Sequence, residues 1–236
     1  MLNLHKKIAS FLFLICVFLR AIGSADLAED LDAYTMPAHH PFYAKLERIF
    51  ASSKTLDSER NFLKAGFTIL QLRDPMFVIA MHPELPGHLV KVHLRASHRS
   101  PQSRWNNLIT RCKNAAKLKD VIEKENMRYF TVPDKCIYTT RHQDPVLIVT
   151  RMNIVSARET KHAWLKHAKR KHIKELHCII SNGCGSSKLV ENLPYTREGV
   201  FACIDTEKPS QGDRYIKKYL SKDMCLYWDE LNKAAR

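Results

Sequence analysis

The sequence predicts an α+β fold in which a small antiparallel sheet precedes a mainly helical part. Short runs rich in β-branched residues, bounded by Pro and Gly, occupy the region from residue 76 to residue 150, a pattern typical of strands and turns. After residue 153, apolar residues recur at helical spacing in two long polar stretches, which predicts amphipathic helices. We therefore expect a sheet lobe over residues 42–152 and an incomplete helical lobe over residues 153–236.

Residues 1–25 are predicted to be a signal peptide. Lys6 and Lys7 precede an apolar run over residues 8–19, and small residues lead to a cleavage position after Ala25, the pattern of a secretory signal. A membrane anchor is the weaker alternative, because about 20 apolar residues are needed to span a bilayer. The protein is thus expected to be exported or secreted. Residues 26–41, acidic and then turn-rich, are expected to form a poorly packed leader.

The sheet lobe is predicted to begin with a helix over residues 42–50. Two β-like runs, residues 76–81 and 88–94, flank a turn rich in Pro and Gly and predict a hairpin. An apolar stripe then predicts a helix over residues 103–125, capped by Ser103. Strands are expected at residues 129–132, 135–138 and 145–150, the last of them buried.

The helical lobe is predicted to open with a long basic helix over residues 157–180. Asn182 and Gly183 follow it and form a helix-stop signal. Residues 193–195 and 200–204 predict a second short hairpin, and residues 214–231 a final helix that docks on the core.

The chain is strongly basic, with a net charge of +14. Removal of Lys6, Lys7 and Arg20 leaves 35 basic against 24 acidic residues, which favours a protein partner or an anionic surface. A solvated basic helix is the structural alternative for residues 157–180. Nucleic acid is disfavoured, because export is predicted and no aromatic-basic RNA motif is present. We expect no transmembrane segment in the mature chain.

Six cysteines remain after cleavage, at positions 112, 136, 178, 184, 203 and 225. An even number in an exported chain permits disulfides, and buried free thiols are the alternative. The lack of a CxxC pair disfavours a zinc knuckle. Cys184 with His177 is a weak candidate for nucleophilic chemistry, because no third, orienting residue can be placed.

Four histidines, His162, His167, His172 and His177, occur at a regular five-residue step. In an α-helix this step turns the chain by about 500°, so neighbouring histidines lie about 140° apart. We therefore expect that they do not converge on a metal ion.

Three residues suggest a phosphate and metal site. Lys91 lies in a strand pattern, and Asn192 stands 13 residues before Asp205, so that the two strands of the second hairpin are expected to place both at the same end. An amide oxygen and a carboxylate can hold Mg²⁺ against phosphate oxygens while an ammonium neutralises the remaining charge. The structural alternatives are an outward strand lysine, a turn-forming asparagine and a strand-end cap.

The order of elements and these residues resembles the protein kinase and aminoglycoside phosphotransferase superfamily over roughly residues 67–207. The resemblance implies a kinase-like fold, with Lys91 as the lysine that holds nucleotide phosphates, and Asn192 and Asp205 as the metal ligands. Ser187, five residues before Asn192, stands where that family has its catalytic Asp, so no catalytic residue is predicted.

Other positions also depart from the family pattern. Gly185 replaces the histidine of the catalytic loop, and residues 70–75 contain no glycine where a phosphate loop belongs. Thr110 and Arg111 lie near the position of the lysine-pairing glutamate. The residues after Glu207 are too few for the activation segment and substrate-binding helices of a complete kinase, so the helical lobe is expected to be truncated.

These observations predict an exported pseudokinase-like binding or interaction protein without phosphotransfer activity and without a cofactor. One alternative is an atypical kinase that uses Mg-ATP on a small molecule or on itself, through Lys91, Asn192 and Asp205. Another is a secreted basic domain held by disulfides that binds an anionic surface or partner.

Overall fold

The structure is a computed structural model that describes residues 32–73, 77–97, 99–206 and 213–235. The predicted signal peptide and residues 26–31 of the predicted leader lie outside these residues, as do residues 74 and 75 of the glycine-free segment 70–75. From Met36 onward the chain forms one compact unit. No helix in the described part of the chain combines the length and hydrophobicity needed to cross a membrane.

The predicted α+β class is confirmed by a five-stranded antiparallel sheet surrounded by helices. The strands are β1 (Thr68–Arg73), β2 (Phe77–Met81), β3 (His88–His93), β5 (Lys135–Thr139) and β6 (Pro145–Thr150), and a separate short strand, β4 (Phe130–Thr131), lies outside this sheet. The order across the sheet is β1-β2-β3-β6-β5. β3 therefore lies at the centre, bonded to β2 and β6. Sequence patterning missed β1.

One face of the sheet packs on two short helices, α1 (Tyr43–Ile49) and α2 (Glu59–Lys64). Side chains alternate along a strand, so Val90 and Val92 of β3 join this core while Lys91 and His93 point to the opposite face. Met36 also lies in this core, 2% exposed, and its N–H donates to Ile137 O at 2.8 Å. The expectation of a poorly packed leader is therefore wrong at Met36.

The opposite face packs on the longest described helix, α3 (Pro101–Lys124), which contacts β5 and β6. This helix begins earlier than predicted, because Ser100 rather than Ser103 is its N-cap: Ser100 Oγ accepts from Ser103 N at 3.1 Å. Pro101 follows at the first helical position. A backbone N–H there has no partner within the helix, so the missing N–H of proline costs no hydrogen bond.

The predicted long helix over residues 157–180 is wrong. It is divided into α4 (Ala157–His162), a π turn (Ala163–His167) and α5 (Arg170–Ser181). The backbone of Ala168 is extended, which ends the π turn, and both Ala163 and Ala168 are buried. The break lets Trp164 and the apolar side of α5 share one hydrophobic cluster. Asn182 and Gly183 end α5 as predicted.

The second predicted hairpin is present in an irregular form. Thr196 N donates to Val200 O, Ala202 N to Pro194 O and Ile204 N to Asn192 O. Its second arm contains β7 (Phe201–Ala202), which also pairs in parallel with β4, a pairing that the sequence did not indicate. A short helix, α6 (Leu189–Asn192), precedes the hairpin.

The predicted final helix is also divided, into α7 (Asp213–Lys217) and α8 (Lys222–Ala234). The break follows from Ser221, whose hydroxyl accepts from Met224 N and starts a new helix. Trp228 of α8 packs into the second cluster with Trp164. The six described cysteines are free thiols, so the structure does not support the predicted disulfides.

In the loop after α5, the left-handed backbone of Gly185 can be tested by substitution. Gly185 has φ +67°, and a Cβ there would lie 2.7 Å from Ile179 Cγ2. Gly185→Ala should lower the free energy of unfolding by about 2 kcal/mol or more, because left-handed strain adds to overpacking. Urea denaturation measures this change. Gly87→Ala is the matched control, with φ +74° and open space around the Cβ; an equal loss in both variants would contradict the clash.

Candidate functional site

Lys91 reaches the site from the centre of the sheet. On β3 it lies between Ile79 of β2 and Leu147 of β6, and it is 6% exposed. Its Nζ lies 3.5 Å from Ile204 O, which is the outer limit for a hydrogen bond. The strand thus brings an ammonium to the residue that precedes Asp205.

Asp205 is held by an arginine of α3. Arg111 Nη1 lies 2.9 Å from Asp205 Oδ1, and Arg111 Nε donates to Asn107 Oδ1 at 3.1 Å. The guanidinium also lies 4.7 Å from the centre of the Phe77 ring. Only 4% of Arg111 is exposed, so this is a buried charge whose carboxylate partner comes from a distant part of the sequence.

A third cation, Lys135 of β5, completes the cluster. Its Nζ donates to Thr206 Oγ1 at 2.6 Å, and that hydroxyl donates to Arg111 O at 2.7 Å. Burial, together with the neighbouring charges of Lys91 and Arg111, lowers the pKa of Lys135 to about 7. Lys135 is therefore partly neutral near physiological pH, which relieves the crowding of positive charge.

Sequence reasoning missed Lys135, Asn114 and Thr206, and it noted Arg111 without assigning its partner. Asn114 Nδ2 donates to Thr206 O at 2.6 Å, so α3 holds the backbone as well as the side chain of this segment. Arg111 and Asn114 stand three residues apart and share a helix face. A basic and an amide residue on the buried stripe of α3 were the available signal.

Asn192 lies at the end of α6, and its backbone and side chain face different partners. Its carbonyl oxygen accepts from Ile204 N at 3.0 Å, which places its backbone beside the segment that carries Asp205. Its side-chain Nδ2 donates to Ser186 Oγ at 2.9 Å. Ser187, which replaces the expected catalytic Asp, is 1% exposed, so its hydroxyl belongs to the packed interior.

A cavity of about 360 Å³ lies beside Lys91. Its apolar lining includes Ile79, Leu89, Val149, Ile154 and Ile204. This volume is at the small end of the range for sites that hold small molecules. Of the three predicted site residues, Lys91 lines the cavity, whereas Asn192 and Asp205 are not part of its lining.

The donor set does not fit Mg²⁺. The Asp205 carboxylate, which a metal would need, is engaged by a guanidinium. Lys135 interacts with the charges of Lys91, Arg111 and Asp205, so a divalent cation would enter a region in which the cations outnumber the carboxylate. No group of three or more His, Cys, Asp or Glu residues suited to a metal occurs in the described ranges.

The weaker candidate, Cys184 with His177, is also placed by the structure. His177 Nε2 pairs with Asn232 Oδ1 at 3.1 Å, and its ring lies against Trp228. The Cys184 thiol points to Asn182 O at 3.7 Å, and burial raises its pKa. A raised pKa keeps the thiol protonated and makes it a poor nucleophile.

The low pKa of Lys135 predicts a pH dependence of stability. Below a pH of about 7, Lys135 is protonated in both the folded and the unfolded state. Above that pH the folded state releases a proton that the unfolded state keeps, so the free energy of unfolding rises with pH. From about pH 6 to about pH 8.5, the wild type should gain about 2 kcal/mol relative to Lys135→Gln. Urea denaturation at each pH measures the difference. Lys119→Gln replaces a lysine on the exposed side of α3, and the stability of the wild type relative to this variant should not change with pH. If the stability relative to Lys135→Gln does not change with pH either, the burial of the Lys135 charge is contradicted.

Removing the buried guanidinium should destabilise the fold. Arg111→Ala removes the buried partner of the Asp205 carboxylate, whose side chain is 17% exposed, and we expect a loss of about 3 kcal/mol in the free energy of unfolding. Lys119→Ala, which removes an exposed pair with Asp134 at 3.2 Å, should lose less than about 1 kcal/mol. The double variant Arg111→Met/Asp205→Asn should lose less than the sum of its single variants; additive losses would contradict the coupling.

A solved structure was found to be similar to this chain. It is the streptomycin-ATP-APH(2″)-IIa ternary complex, with a TM-score of 0.35 and 12% sequence identity over 84% of this chain and 88% of that chain. No family model matches the chain. No curated protein matches it either.

Proposed function

We propose that the chain is an exported, kinase-like protein that binds a partner or ligand without transferring phosphate. The observation that carries this proposal is the ion pair between Arg111 and Asp205. In protein kinases the equivalent helix supplies a glutamate to the strand lysine, and the aspartate holds Mg²⁺. Here the helix supplies a cation, and that cation takes the carboxylate which a metal would need.

The arrangement of the elements supports the kinase-like part of the proposal. A lysine on the central strand, a long helix after that strand and an Asn–Asp hairpin meet around Ile204 and Asp205. The same three parts form the nucleotide site of a kinase. Their joint presence favours common ancestry over three unrelated structural residues.

The chemistry of the cluster supports the absence of phosphotransfer. Ser187 has no carboxylate with which to accept a proton from an attacking alcohol. Its burial also keeps its hydroxyl away from any substrate. With three cations close to one carboxylate, the site favours anionic groups of a partner or ligand over Mg²⁺.

A second candidate is an atypical kinase that acts on a small molecule or on itself. It is favoured by the cavity of about 360 Å³ beside Lys91 and Ile204, which a nucleotide base could enter. This candidate requires Arg111 to release Asp205 when Mg-ATP binds. Such a release would leave a buried guanidinium without its carboxylate, so we rank it second.

The decisive experiment is a phosphate-transfer assay with γ-labelled ATP and Mg²⁺, on the protein alone and with added small-molecule acceptors. We expect no transfer and no rise in Tm with Mg-ATP, whereas a ligand at 100 times its Kd would stabilise the fold by about 2.7 kcal/mol. Transfer that disappears in Lys91→Ala and Asp205→Asn but persists in Lys119→Ala would overturn the proposal in favour of the second candidate.

A further inference from the structure

The π turn brings together two histidines that an α-helix would separate. Ala168 N donates to Ala163 O at 2.9 Å, a bond between residues five apart. That spacing is one turn of a π-helix. The rings of His162 and His167 consequently lie 5.2 Å apart between centroids, whereas an α-helix would have placed them about 140° apart.

These two histidines line an open pocket of about 530 Å³. Its apolar wall is formed by Val155, Ala163, Leu165 and the ring of Tyr195. The pocket shares no lining residue with the cavity beside Lys91. Its volume lies within the range of sites that hold small molecules.

The wall of the pocket is anchored on both sides. Tyr195 N donates to Thr160 Oγ1 at 3.2 Å, and Thr160 is fully buried. Val155 N donates to Tyr195 O at 2.9 Å, and the Tyr195 ring packs on Phe201. The pocket is therefore supported by hydrogen bonds and by the core, which preorganises a binding site.

Its charged lining is unbalanced toward positive charge. Arg158 and Lys161 belong to the lining with the two histidines, and Glu159 is its acidic member. Glu159 Oε2 accepts from Ser156 N at 2.9 Å and from Ser156 Oγ at 2.6 Å. Its carboxylate therefore caps the N-terminus of α4, while Arg158 and Lys161 remain as the cationic residues of the lining. Their charges also disfavour a divalent metal at the histidine pair.

We propose that this pocket binds a small organic anion, a molecule with an apolar body about the size of a ring and a carboxylate or phosphate group. The apolar body packs between Leu165 and Tyr195, and the anionic group is bound by Arg158, Lys161 and the histidine pair. Charge-assisted hydrogen bonds from such groups are the strong ones in oxyanion recognition. The π turn is the local feature that makes the site, and such turns occur frequently at functional sites.

Isothermal titration calorimetry on the full chain, in buffer with EDTA, tests the proposal with phenyl phosphate, benzoate and benzyl alcohol. Saturable binding of one or both anions is expected, and the stronger anion identifies the group that the site prefers. Benzyl alcohol, the neutral analogue, should bind at least about tenfold more weakly, as expected when a charge-assisted hydrogen bond is missing. Equal binding of the alcohol would overturn the proposal, as would no saturation by either anion at millimolar concentration.

Two sets of variants locate the site. Arg158→Gln/Lys161→Gln should weaken anion binding by about tenfold or more, and His162→Gln/His167→Gln should also weaken it. Lys174→Gln/Lys188→Gln removes the same charge from exposed positions outside the lining and should change the affinity by less than about twofold. An equal loss in this control would show a general effect of charge and overturn the proposal. Circular dichroism checks that each variant keeps its fold, and NMR shifts of Leu165 and Tyr195 report binding in the pocket.

Discussion

The ion pair between Arg111 and Asp205 is the constraint on which the candidate site depends. It joins a helix that packs on the sheet to a segment that follows the second hairpin. A buried guanidinium destabilises a fold strongly unless a carboxylate compensates it. As long as α3 packs on the sheet, Asp205 must therefore stay paired with Arg111. The chemistry of the Asp205 carboxylate is limited to what is compatible with this ion pair.

The groups around this ion pair compensate for the positive charge that remains beside it. Lys135 bonds to the hydroxyl of Thr206, and its pKa falls to about 7 because of burial and the nearby charges of Lys91 and Arg111. Thr206 and Asn114 then use neutral hydrogen bonds to hold the backbone in place. The ion pair and these hydrogen bonds together hold the cluster in place.

The second half of the molecule shows how packing can override a periodic pattern. The spacing of residues 157–180 fits a continuous α-helix, but a straight helix cannot bury Trp164 and Ala168 together with Ile173. The π turn and the extended backbone of Ala168 and Lys169 break the helix, and all three side chains then lie in one cluster. The histidine pair at the pocket is a consequence of that break, so its geometry depends on the core beneath it.

The sequence by itself determined the α+β class, the two hairpins, the end of α5 and the candidate residues Lys91, Asn192 and Asp205. These features depend on local properties: alternation in strands, Pro and Gly in turns, and the spacing of polar residues along the chain. Strand β1 was missed because Arg73, Asp74 and Pro75 follow its run directly in the sequence, and the helix breaks were missed because apolar residues recur at helical spacing on each side of them. Only the tertiary structure decided that Arg111 takes Asp205, that Lys135 joins them, and that His162 meets His167. Each of these contacts depends on long-range packing, which brings together residues that neither composition nor spacing relates.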